Sequence, residues 1–128
     1  MLGSLPLLAL IVIIYNIVVY MTGFTMDSTV VEILLVSDTR WAVSLGDILL
    51  TLGLLMLFLE LVNSTKTGTS TIINHGLSML VLLVALVEFI VLPPFGNSVF
   101  FLIVVLVLLD VIAGFTVTIT AARRDLNI

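Results

Sequence analysis

The stretch VFFLIVVLVLLDVIAGFTVTITAA, residues 99–122, decides the fold class of this chain. It is a continuous apolar run with a single ionisable residue, Asp110. A helix needs about 20 apolar residues to cross a hydrocarbon core roughly 30 Å thick. The run therefore predicts a transmembrane helix that carries one carboxyl group near its midpoint.

The composition of the whole chain, residues 1–128, indicates one integral membrane domain. Of the 128 residues, 62% are apolar and 9% are charged, whereas soluble domains are about half apolar and about a quarter charged. The net charge of −4 comes from eight acidic and four basic residues. With no basic cluster, we expect the lipid bilayer as a partner and no nucleic acid.

Three further apolar runs complete an all-α membrane protein, a predicted antiparallel bundle of four transmembrane helices. The predicted spans are residues 5–24, 45–62, 72–92 and 99–122. Pro93 and Pro94 end the third span, Asn97 or Ser98 caps the fourth, and the polar residues 63–71 connect the second span to the third. The first run lacks the basic start of a signal peptide, so we expect it to be retained.

The link between the first two spans, residues 25–44, has strand character. Residues 30–36 are rich in β-prone side chains, residues 37–39 have turn chemistry, and residues 40–43 can return as a second strand. We therefore predict a short β-hairpin at the membrane surface, outside the helical bundle. A short interfacial helix is the alternative, because Thr29 and the glutamate three residues later match a capping box.

Basic and aromatic residues predict the orientation. Lys66, Arg123 and Arg124 belong to one side of the membrane and Arg40 to the other, so we expect both termini in the cytoplasm. Aromatic rings at the outer helix ends are expected to mark the opposite membrane boundary. They are Tyr20, Phe24, Trp41, Phe95, Phe100 and Phe101.

Small and polar residues recur on one face of each predicted helix. They are Ala9, Asn16 and Gly23 in the first helix, Gly46, Gly53 and Glu60 in the second, Asn74, Ser78, Val81, Ala85 and Glu88 in the third, and Asp110, Gly114, Thr118 and Ala122 in the fourth. Their spacing of three, four or seven residues places each set on a single helix face. Such stripes are typical of close helix approach in membranes, so they predict one packed bundle.

Five polar residues inside the spans form a candidate intramembrane network: Asn16, Glu60, His75, Glu88 and Asp110. A charged carboxylate at the bilayer centre costs roughly 2.5 to 3.5 kcal/mol on insertion scales. Asp110 is expected to be a protonated acid hydrogen-bonded to Asn16, which would hold two helices together. The alternative is a proton or cation route from Glu88 through Asp110 to a Glu60 and His75 pair, with bridging water between stations about 10 Å apart.

Nothing in the sequence predicts an enzyme. The chain has one histidine and no cysteine, and it lacks a Gly-rich phosphate loop and metal-ligand spacing on any single helix. We therefore expect no catalytic residue, no metal site and no cofactor. Asp47 follows Ser44 by three residues at the start of the second span, so it is predicted to form a capping box.

Five short segments carry a family resemblance. They are Val43-Ser44-Leu45-Gly46-Asp47, Asn74-His75-Gly76-Leu77-Ser78, Val87-Glu88-Phe89, Asp110-Val111-Ile112-Ala113-Gly114-Phe115 and Ala121-Ala122-Arg123-Arg124-Asp125. On these residues, the stretch from Trp41 to Arg124 resembles a family of small, uncharacterised four-helix inner-membrane proteins of Gram-negative bacteria. The resemblance implies a bacterial origin, the inner membrane and the four-helix fold, and it implies no activity.

The sequence favours a structural or accessory subunit that meets its partners within the bilayer, because almost no mass lies outside the predicted spans. We expect a homo-oligomer or membership of a larger membrane complex. The alternative is an oligomeric proton or cation channel or transporter that uses the intramembrane carboxyl groups. Four helices leave little room for a pore inside one chain, so conduction would need several copies.

Overall fold

A computed structural model describes residues 6–63 and 69–126, which form four helices with a β-hairpin between the first two. The elements are α1 (Leu7–Met21), β1 (Thr29–Leu34), β2 (Arg40–Ser44), α2 (Leu45–Asn63), α3 (Thr69–Val91) and α4 (Ser98–Leu126), with a 3₁₀ turn at Pro93–Phe95. The predicted helical architecture is therefore confirmed in this part of the chain. Leu5, the predicted start of the first span, and Lys66 lie outside the described residues.

In the described part of the chain, three helices are long and apolar enough to cross a membrane. They are Leu45–Asn63, Ile72–Val91 and Ser98–Arg124. In contrast, α1 has 15 residues and is about 22 Å long at 1.5 Å per residue. It ends at Met21, because the backbone of Thr22 is extended and no longer helical. The described helix is thus shorter than the predicted span 5–24.

The two strands form an antiparallel hairpin between α1 and α2. Thr29 lies opposite Ser44, and Leu34 lies opposite Arg40. Asp38 in the turn has a φ of 65°, a left-handed conformation that aspartate tolerates better than most residues. The predicted hairpin is confirmed, and the alternative of a short interfacial helix is wrong.

The base of the hairpin is tied to the start of α2. The backbone N–H of Ser44 donates to Oδ2 of Asp47 at 3.0 Å, and the N–H of Asp47 donates to Oγ of Ser44 at 3.1 Å. The predicted capping box is therefore confirmed. The N–H of Gly46 also donates to the carbonyl of Met26 at 2.8 Å. We call the end of the bundle with the hairpin and the α3–α4 turn the hairpin end.

The centre of the bundle is α4, which packs against both α2 and α3. On α2 the buried residues are Gly46, Leu49, Gly53 and Glu60, so the predicted stripe on this helix is confirmed. A Cβ atom on Gly53 would lie 2.8 Å from Cδ1 of Leu106, and one on Gly46 would lie 2.6 Å from Cγ2 of Val99. Both glycines therefore let the two helices come into close contact.

On the other helices, only some of the residues in the predicted stripes are buried. On α3, Asn74, Ser78 and Ala85 are buried, as the stripe predicts. On α1 the prediction for Gly23 is wrong, because α1 ends at Met21 and Gly23 is exposed in the link beyond it. The side chain of Thr118 on α4 lies outside the described part of the chain.

Two of the aromatic rings predicted at the membrane boundary lie in the core instead. Phe95 and Phe100 are fully buried, and they contact each other and the ring of Tyr15 at centroid distances of 4.7 to 5.0 Å. The 3₁₀ turn at Pro93–Phe95 folds the chain back so that these rings close the hairpin end. Large rings bury more apolar area inside the bundle than at its edge, and they gain contacts with each other. Trp41 is exposed on the hairpin, and its place at the membrane boundary stays a prediction.

We expect Gly46→Ala to lower the free energy of unfolding by about 1 to 3 kcal/mol, because an added methyl group overpacks this contact. Its Cβ would meet the carbonyl oxygen of Met26 at 3.0 Å as well as Val99 at 2.6 Å. Gly76→Ala is the matched control, since a Cβ there meets nothing within 4 Å. Reversible unfolding in mixed micelles measures both. Equal stability of the two variants would contradict the close α2–α4 contact.

Candidate functional site: a buried polar cluster

Polar side chains from α2, α3 and α4 lie buried inside the apolar bundle. They are Glu60, Asn74, His75, Ser78 and Asp110, with exposed fractions of 3%, 8%, 4%, 1% and 4%. We call these five residues the buried polar cluster. Since burying polar groups in an apolar interior is costly unless they are hydrogen-bonded, their contacts determine what the cluster can do.

Asp110 of α4 is bound to α3. The hydroxyl of Ser78 lies 3.3 Å from Oδ2 of Asp110, a hydrogen bond in which Ser78 is the donor. Sequence analysis placed Ser78 on the small-residue stripe of α3 but did not include it in the candidate network. The signal was available, because a hydroxyl on the same helix face as other buried positions can supply a hydrogen bond across a helix interface.

The predicted hydrogen bond between Asp110 and Asn16 is wrong. The side-chain amide of Asn16 donates to the carbonyl of Val12 at 2.8 Å and to Oε1 of Glu88 at 3.4 Å. Glu88 follows Ser78 by ten residues on α3, which is about 15 Å along a helix. Asn16 therefore lies nearer the hairpin end than Asp110 does.

Glu60 joins three helices at the end of the bundle opposite the hairpin. Its carboxylate accepts a hydrogen bond from the backbone N–H of Leu7, the first residue of α1, and another from the side chain of Asn74 on α3. The first N–H groups of a helix have no partner within the helix and form the positive end of its dipole. A carboxylate from α2 at this position therefore both satisfies and attracts the start of α1.

His75 is buried, and its side chain packs against α4. Its ring packs on Phe115 with a centroid distance of 4.6 Å and an interplanar angle of 33°. The pairing of His75 with Glu60 stays a prediction. Glu60 does interact electrostatically with Asp110, so the two carboxyl groups of the cluster would repel each other if both were charged.

A second polar group near the hairpin end was missed by sequence analysis. The hydroxyl of Tyr15 donates to the carbonyl of Pro94 at 2.9 Å, and the side-chain amide of Asn97 donates to the Tyr15 hydroxyl at 2.7 Å. Oδ1 of Asn97 accepts from the N–H of Phe100 at 3.0 Å, which confirms Asn97 as the predicted cap of α4. A tyrosine in the middle of an apolar helix was the available signal, since a buried tyrosine hydroxyl usually has a partner.

The chemistry open to the buried polar cluster is hydrogen bonding and proton exchange. In residues 6–63 and 69–126, no group of three or more histidine and acidic side chains is placed to hold a metal ion. Within the same residues, every buried side-chain nitrogen or oxygen has a hydrogen-bond partner. The cluster is thus a satisfied network that holds helices together, with two acids and one imidazole that can exchange protons.

We expect Ser78 and Asp110 to be energetically coupled. A double-mutant cycle with Ser78→Ala and Asp110→Ala should give a coupling free energy of about 0.6 kcal/mol, and up to about 1.7 kcal/mol, as for other hydrogen bonds between membrane helices. Unfolding in mixed micelles measures it. In the control cycle Thr116→Val replaces Ser78→Ala, because the Thr116 hydroxyl bonds the carbonyl of Ile112 in its own helix. Equal coupling in both cycles would contradict the α3–α4 bond.

Comparison with known proteins does not identify this site. No protein-family model matches the chain, and no curated protein and no solved structure matches it. The resemblance to small inner-membrane proteins of Gram-negative bacteria therefore stays a prediction. The function of the chain has to be inferred from its own residues.

Proposed function

We propose that this chain is a four-span protein of the bacterial inner membrane that acts as a structural or accessory subunit, with both termini in the cytoplasm. It meets its partners, a second copy of itself or other subunits, largely within the bilayer. The observation that carries the proposal is the distribution of burial among the helices. In the candidate spans of α2 and α3, 22% of residues are buried within the chain, against 44% in α4.

The uneven burial supports an accessory role because it leaves two apolar helices with wide exposed faces. Leu55 on α2 and Leu83 on α3 are among many large aliphatic residues exposed there. Glu60 of α2 and Asn74, His75 and Ser78 of α3 are turned inward, to the buried polar cluster. Exposed apolar faces of this kind can pack against acyl chains or against the helices of other subunits.

The contacts of α1 support four crossings. Leu7 at one end of α1 bonds Glu60, three residues before the end of α2. In the middle of α1, Tyr15 already bonds Pro94 in the turn between α3 and α4 through its long side chain. The helix thus reaches between levels close to both ends of the neighbouring candidate spans. The exposed Arg123 and Arg124 support a cytoplasmic C-terminus by the excess of basic residues on that side.

Tryptophan substitution on the exposed faces tests the accessory role. We expect the wild-type chain, purified in a mild detergent, to run as a homo-oligomer or with a stoichiometric partner. Leu55→Trp or Leu83→Trp should break that complex, because a bulky ring at a packed helix interface separates the helices. Leu55→Met and Leu83→Met are the matched controls and should keep it. Light scattering gives the mass of each particle, and a wild-type particle of one chain alone would contradict the proposal.

A proton or cation conductor is the second candidate, favoured by the acids along the interior. Asp110 and Glu60 interact within the buried polar cluster, and Asn16 binds Glu88 nearer the hairpin end. These groups are distributed along the bundle axis, and intramembrane acids are functional candidates by default. Gaps of several ångströms between them require bridging water, and several copies would be needed to form a continuous path.

Flux measurements in liposomes test the conductor. If the chain conducts protons, an imposed potential should acidify the liposomes, and both Asp110→Asn and Glu88→Gln should abolish the flux. Both variants keep the shape and a hydrogen-bonding oxygen of the original side chain. Glu32→Gln on the exposed hairpin is the control and should leave the flux unchanged. Absence of flux in the wild-type protein would rule out this candidate and leave the accessory role.

A further inference from the structure

A cleft opens at the hairpin end, apart from the buried polar cluster. It lies between the end of α1, the link that follows it, the start of α2 and the turn before α4, and it encloses about 780 Å³. Pockets for small molecules typically measure about 300 to 1,000 Å³. The cleft is therefore large enough for a small organic molecule, and no member of the buried polar cluster lines it.

One wall of the cleft is apolar. Val19 of α1, Phe24 and Met26 of the link, and Pro94 and Val99 next to the turn all line it. Tyr15 also lines the cleft, and it packs on Phe95 and Phe100 with its hydroxyl held by two hydrogen bonds. A wall of this kind can bind the apolar part of a ligand without first having to be ordered.

Among the described residues that line the cleft, every charged side chain is acidic. They are Asp27 and Asp47, one on the link and one at the start of α2. The hydroxyl of Thr25 donates to Asp27 and lowers the pKa of that carboxyl group, so Asp27 is ionised at neutral pH. The nearby hairpin offers one cation, Arg40, whose guanidinium lies 3.6 Å from a carboxylate oxygen of Glu32.

The residue set fits an organic cation better than a metal ion. Among the described residues, no three histidine or acidic side chains are grouped to hold a metal, and the cleft supplies two carboxylates beside a broad apolar wall. Hard divalent cations need about six oxygen ligands at short range. An ammonium group needs only opposite charge and hydrogen-bond acceptors, and its substituents can lie against apolar side chains.

We propose that this cleft binds an organic ammonium cation with an apolar body. The charged nitrogen lies between Asp27 and Asp47, and the apolar body lies against the wall formed by Phe24, Met26 and Val99. The cation comes either from a soluble amine or from the amine headgroup of a lipid, since both present the same chemistry at the membrane surface. This binding site does not depend on the function proposed above.

A pair of isosteric probes tests the proposal. Benzyltrimethylammonium and neopentylbenzene have the same shape, and only the first carries a charge. With the full chain in a non-ionic maltoside micelle and with empty micelles as the blank, we expect the cation to bind at least about tenfold more tightly than its neutral isostere. Ligand-observed NMR measures both affinities. Equal affinity, or no binding of the cation, overturns the proposal.

Variants locate the site. Asp27→Asn and Asp47→Asn together should weaken binding of the cation by about tenfold or more, because each removes a charge next to the nitrogen. Asparagine keeps a side-chain oxygen for the capping box of Ser44. Glu32→Gln removes a charge from the hairpin, outside the cleft, and should leave the affinity unchanged. An unchanged affinity in the double variant, or an equal loss in the control, overturns the proposal.

Filling the cleft is an independent test that leaves its charge intact. Gly23 lines the cleft, and a Cβ there would meet nothing within 4 Å, so Gly23→Leu should fold normally and block the cation. Retained binding would contradict the site.

Added phosphatidylethanolamine identifies the source of the cation. Displacement of the probe assigns the site to a lipid headgroup, and retention of the probe assigns it to a soluble amine.

Discussion

The close contact of α4 with α2 is the constraint on which the rest of the structure depends. Gly46 and Gly53 leave no side chain between the two helices, so Val99 and Leu106 of α4 reach the backbone of α2. In a bilayer, helices gain little from hiding apolar surface and are held by packing and hydrogen bonds. Such a contact brings α4 to the centre and determines which of its side chains face inward.

The buried polar cluster follows from this packing. Once α4 is central, Asp110 has to find a partner on a neighbouring helix, and Ser78 of α3 provides one. Glu60 is brought to the first turn of α1, where its carboxylate meets an unpaired backbone N–H. The hydrogen bonds of Asp110 and Glu60 thus offset the cost of burying these groups and join neighbouring helices, so the cluster adds specificity to an otherwise uniform apolar bundle.

The two ends of the bundle differ in chemistry. The end opposite the hairpin has the buried Glu60, whose carboxylate is hydrogen-bonded to the first backbone N–H of α1 and to Asn74. The hairpin end has a closed aromatic core around Tyr15 and, outside it, a cleft with the exposed carboxylates of Asp27 and Asp47. The first arrangement holds helices of the chain together, and the second carries the proposed binding of an organic cation.

Local chemistry was enough to predict the helices, the hairpin, the capping box at Ser44, a cap at Asn97 or Ser98, and the face of α2 that is buried. Each of these depends on residues within a few positions of one another, so spacing alone reveals them. The partners of Asn16 and Asp110 and the burial of Phe95 and Phe100 depended on tertiary structure. They are set by the depth at which each helix begins and by how far the α3–α4 turn folds back, and both arise from packing between segments far apart in the chain.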